Sequence, residues 1–73
     1  MKTIISKTSK SGTLYRIIKE LPACNLFEIE FQKVYKQEDG TDFFAWFPAY
    51  EPKQKFFRSE EEAMSAFNAF LQT

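Results

Sequence analysis

With 73 residues the chain has room for one domain, and ten basic against ten acidic side chains leave no net charge. That balance argues against a surface built mainly to neutralise phosphate and against a disordered, like-charged tail. A domain this small buries only about 60% of the surface its unfolded chain exposes, so the nine Phe, three Tyr and one Trp are the bulk from which a dense core must be made.

Cys24 is the single cysteine, which excludes an intrachain disulfide. The stretch Met1 to Lys7 lacks the apolar core of a signal peptide, and no apolar run approaches the ~20 residues of a membrane helix. Together these features predict a reducing, cytoplasmic setting.

In chain order, residues 1–21 read as a basic β-hairpin. Ile4 and Ile5 precede a turn at Ser9-Lys10-Ser11-Gly12, and Leu14 to Lys19 form the β-branched and aromatic return. Pro22 to Asn25 break the pattern. Leu26 to Tyr35 is the clearest strand: Phe27, Ile29 and Phe31 alternate with Glu28, Glu30 and Gln32, the period-2 signature of a half-buried strand. Asp39-Gly40 marks the next hairpin loop. Phe43 to Phe47 return from it without alternation, so both faces of that strand are apolar.

Pro48 through Pro52 reads as a rigid excursion, and Lys53 to Arg58 as a short strand that completes an antiparallel region over 25–58. Ser59-Glu60-Glu61-Glu62 is a capping box at the start of a helix over 59–72, with three carboxylates at the positive end of its dipole. Ala63, Phe67, Phe70 and Leu71, with Met64 beside them, form an apolar stripe at helical spacing, while Ser65, Asn68 and Gln72 face away from it. The expected fold is therefore α+β over 1–73: a small, curled antiparallel meander of four to five strands packed against one C-terminal amphipathic helix.

The residues predict a protein that is not an enzyme. Histidine, the commonest general base and neutral metal ligand, is absent, and Cys24 has neither a His nor a second Cys to work with. Glu38, Asp39 and Asp42 lack the spacing of a calcium loop and read as a solvated hairpin tip. Glu28 and Glu30, on one strand face, read as ordinary solvated charge. Gly12 and Gly40 are the only glycines, too few for a phosphate-cradling loop. No catalytic, metal or cofactor site is expected, and no membrane contact.

What remains is binding. One helix covers one face of a sheet, so if Phe43, Ala45 and Phe47 turn to it, Phe44 and Trp46 turn away. Phe44, Trp46 and Tyr50, with Tyr35, are the anchors of a surface for another protein or for a second copy of the chain, unless the N-terminal hairpin curls over Phe44 and Trp46 and buries them.

An alternative is weak nucleic-acid binding through Lys2, Lys7, Lys10, Arg16 and Lys19, since residues 1–19 hold five bases and no acid. The run Phe56-Phe57-Arg58-Ser59-Glu60-Glu61-Glu62-Ala63 resembles the strand-to-helix junction of AP2-type and integrase arm-type domains, a resemblance that implies DNA binding. The Gly-rich, Arg- and Trp-studded strands of the AP2 pattern are missing. A third reading is an accessory inhibitor that sets Glu28, Glu30, Glu38, Asp39 and Asp42 into a basic groove of a larger enzyme.

Overall fold

A computed structural model describes residues 1–50 and 55–73. Four strands, β1 (Lys2–Thr8), β2 (Leu14–Lys19), β3 (Phe27–Lys36) and β4 (Asp42–Pro48), form one antiparallel sheet in the order β1-β2-β3-β4, followed by the helix α1 (Glu60–Leu71). This is the expected α+β meander with its C-terminal helix. Both hairpins turn where a glycine permits positive φ, at Gly12 (91°) and Gly40 (88°). At the second tip, Asp39 Oδ1 accepts from the Thr41 hydroxyl at 2.7 Å and the Thr41 amide at 3.0 Å. Those bonds hold the Asp39 carboxyl below its ordinary range.

Of the expected strand from Lys53 to Arg58, residues 53 and 54 lie outside the described residues, as does part of the Pro48–Pro52 excursion. What is seen is a single bridge. Phe57 and Phe27 exchange N–H···O bonds of 2.8 Å in each direction, which seats Phe57 at the start of β3.

The ladder registers sort side chains between the faces. Tyr15, Phe31 and Phe47 stand abreast on the helix side, as do Ile17 and Ile29; Arg16, Glu30 and Pro48 stand abreast on the other side. Ile17, Phe27, Ile29, Phe57, Ala63 and Phe67 make the buried core under α1, with Met64, Ala66, Phe70 and Leu71 packed around it. The stripe read from the sequence is thus the buried one, widened by Ala66, and Ser65, Asn68 and Gln72 are exposed. Phe70 links the helix to the sheet through rings: its centroid lies 5.2 Å from Tyr15 and 5.3 Å from Tyr50.

Both helix ends are satisfied, by different means. At the start, the Ser59 hydroxyl accepts from the Glu62 amide at 3.1 Å, the forward half of the capping box. The C-terminus has neither a capping glycine nor a basic last turn. Instead the β1–β2 turn donates across space: the Lys10 amide to the Leu71 carbonyl and the Ser11 amide to the Thr73 carbonyl, each at 3.0 Å. The first bond satisfies a carbonyl that the helix end leaves orphaned, and the two together fix the hairpin against the end of α1.

Candidate interaction surface

Strand lengths decide what α1 can cover. β2 pairs with β3 only from Phe27 to Phe31, and α1 lies over that part of the sheet. β3 runs on to Lys36, so beyond Phe31 its only strand partner among the described residues is β4. The result is a two-stranded arm in a molecule 41 Å long and 27 Å wide. Val34 lies opposite Phe44 on one face of the arm, and Tyr35 opposite Phe43 on the other. Their exposures are 53, 55, 44 and 51%, in that order. An isolated ribbon of two strands is marginal in water, and this one is held by its side chains. The Tyr35 and Phe43 rings are 6.3 Å apart, and the Lys33 ammonium lies 5.2 Å from the Phe47 ring at the arm's root.

The four expected anchors separate. Phe44 and Tyr35 are on the arm, on opposite faces. Trp46 shares the face of Phe44 but sits at the root, half-buried beneath a stacked guanidinium: Arg16 Cζ is 3.9 Å from the ring centroid. Tyr50 is taken up by the core, 5.9 Å from the Phe57 ring and edge-on to Phe70. It leaves the surface because the chain bends after Pro48 toward the helix side. Val34 and Phe43 were missed by the sequence reading. The usable signal was the mismatch between a six-residue β2 and a ten-residue β3, which forces an overhang.

The basic residues do not form one patch. Lys2 and Lys19 are cross-strand neighbours at one end of the sheet, and Lys10 is in the turn at the other. Arg16 is on the face away from α1 and already engaged, with Nη2 2.7 Å and Nε 2.8 Å from Glu30 Oε1. Sandwiched between a carboxylate and an indole, it welds β2 to β3 and β4. Arg16→Lys keeps the charge but loses the planar stack and the second donor, and is expected to cost about 1 kcal/mol; Arg16→Ala is expected to cost about 2 kcal/mol. Urea unfolding followed by Trp46 fluorescence measures both, and an unchanged midpoint for Arg16→Lys contradicts the stacking argument.

The acids separate as well. Glu30 is spent on Arg16, and Glu38, Asp39 and Asp42 are at the arm's far end. Glu28 corrects the expectation of solvated charge, with only 8% of its surface exposed. It stands opposite the buried Ile18 on the face away from α1, and it lines a groove of about 180 Å³ with Leu21, Cys24, Leu26 and Phe56. Burial raises its pKa above the ordinary 4.5, and the nearby Glu20 and Glu30 carboxylates add to the rise.

A carboxyl whose native pKa is raised contributes stability when protonated and loses it as pH climbs through that pKa. Glu28→Gln is therefore expected to raise the melting temperature near pH ~7, with the gain vanishing below the ordinary 4.5. Thermal unfolding at both pH values tests this, and a lower melting temperature for Glu28→Gln near neutral pH contradicts it.

Comparison with protein-family models, with curated proteins and with solved structures finds no match for this chain. Among the described residues, no group of three or more His, Cys, Asp or Glu is placed to hold a metal ion, and no helix is long and apolar enough to cross a membrane.

Proposed function

We propose that the chain is a non-enzymatic protein-interaction module whose contact surface is the β3–β4 arm. One observation carries the reading: Val34, Tyr35, Phe43 and Phe44 stand in water on a ribbon that α1 does not reach. Leaving four large apolar side chains solvated on a two-stranded ribbon forgoes burial worth roughly 1.5–3 kcal/mol for each. Large apolar side chains exposed together on one arm, a pair on each face, are characteristic of docking sites. The lone, half-buried Cys24 supports operation in a reducing compartment such as the cytoplasm.

The test compares immobilised wild type with a Phe43→Ser/Phe44→Ser variant as baits in the source lysate, with and without nuclease. Unchanged circular dichroism for the variant, together with loss of a protein that wild type retains after nuclease, is the expected result. Equal capture by both baits would remove the arm from the interaction. Capture that nuclease abolishes and salt weakens steeply would instead favour nucleic-acid binding.

A further inference from the structure

The two edges of the sheet are finished differently. β1 carries the devices that discourage another strand from adding: its register shifts between Thr3 and Ile5, and Lys2 and Lys7 stand along it. β4 carries none of them over its central run. Its pairing with β3 is unbroken from Asp42 to Pro48, it contains no lysine, and proline enters only at its last residue.

The outward-facing amides of β4 are also known. Ala49 N–H donates to the Ile29 carbonyl at 3.0 Å, and Gln37 N–H to the Thr41 carbonyl at 2.8 Å. Antiparallel ladders alternate, so Phe43, Ala45 and Phe47 turn their polar groups to β3, and Phe44 and Trp46 turn theirs outward. Among the described residues, no strand of the sheet lies beyond β4 to pair with those groups.

We infer that the arm's partner is a second copy of this chain, added antiparallel along β4 about a two-fold axis at Ala45; this rests on the arm being the contact surface. That register makes Phe44 and Trp46 of the second copy a hydrogen-bonded pair, and Trp46 and Phe44 of the second copy its symmetric mate. The axis then falls on a non-hydrogen-bonded pair, where α-carbons approach to ~4.5 Å and a small residue fits. Ala45 is the one small residue in the strand.

Side chains match as well. Phe44 packs beside Trp46 of the second copy on one face, and Phe43 beside Phe47 of the second copy on the other. Pro48 lies beside Glu30, and Asp42 beside Lys36. The register sets Pro48 against Asp42 of the second copy, so that row carries an opposite-charge pair in each chain, Arg16 with Glu30 and Lys36 with Asp42, and the uncharged Pro48 separates Glu30 from Asp42 of the second copy. An isologous contact of this kind closes on itself and leaves the lysine-guarded β1 edges outermost.

The test uses the whole chain, made by chemical synthesis with one N-methyl group on the Phe44 amide. That change blocks an outward donor without touching the pairing with β3. Sedimentation at roughly 100 μM is expected to show a reversible dimer for the wild type, and at least tenfold weaker dimerisation for the N-methyl chain at unchanged circular dichroism. In a Cys24→Ser background, Ala45→Cys is expected to form a disulfide-linked dimer on mild oxidation, and Thr3→Cys on β1 is not.

A wild type that stays monomeric, or an N-methyl chain that dimerises equally well, overturns the second copy as partner. If the chain is monomeric yet loses a captured protein on Phe43→Ser/Phe44→Ser, the arm stands and only this occupant falls. If capture too is indifferent to those substitutions, both readings fall.

Discussion

Phe67→Ala is expected to lower the melting temperature by roughly 20 °C, and by more if the site cannot collapse. Phe67 is the largest wholly buried side chain and lies where α1 meets Ile17 and Ile29 of the sheet. Truncating such a ring costs about 3–5 kcal/mol, the lost transfer free energy plus a cavity. A domain of this length has only about 4–11 kcal/mol to lose. Neighbouring Phe57 and Phe70 are held by their own ring contacts with Tyr50, so little can move into the space. Differential scanning calorimetry measures the shift. A fall of only a few degrees would mean that α1 is not what closes the core.

Phe44→Asp is expected to weaken association by at least ~30-fold while leaving the melting temperature nearly unchanged. The two effects separate because Phe44 has more than half its surface in water in the folded chain, so little of the core rests on it. A carboxylate there is solvated in the free chain but desolvated in any complex. Trp46→Ala is the instructive contrast. Its ring supports Arg16 at 3.9 Å, so it should lose stability by about 1–2 kcal/mol along with affinity. Isothermal titration or sedimentation, paired with thermal melts, resolves the pattern. Equal loss of stability in Phe44→Asp and Trp46→Ala would place Phe44 in the core.

Much of the fold is legible in the sequence because its signals are local. Alternation in Phe27 to Gln32, the Asp39-Gly40 tip and the Ser59 cap each specify geometry within a few residues, and each is where expected. The features that were not legible depend on groups distant in sequence. Glu28 occupies the polar phase of its strand, yet it is buried beside a groove it shares with Leu21, Leu26 and Phe56, a neighbourhood no period records. The end of α1 carries no stop signal of its own, since its Leu71 carbonyl is met by the Lys10 amide, some sixty residues earlier.

The candidate site was half legible for the same reason. That β4 is apolar on both faces follows from Phe43 to Phe47, and the exposure of Phe44 follows from one helix having one face to cover. The separation of Trp46 from Phe44 does not follow. It depends on Arg16, thirty positions away, choosing the indole and Glu30 over solvent. Tyr50 was drawn into the core by contacts with Phe57 and Phe70, made only after the chain has turned past Pro48.

Hydrogen exchange of the β4 amides, read residue by residue by NMR in the free and associated states, tests the arm most directly. In the free chain the Phe43, Ala45 and Phe47 amides, turned to β3, should exchange slowly, and those of Phe44 and Trp46 quickly. Association should slow Phe44 and Trp46 by at least ~10-fold. If association instead protects amides of β1 or α1 and leaves Phe44 and Trp46 unchanged, the contact surface lies elsewhere.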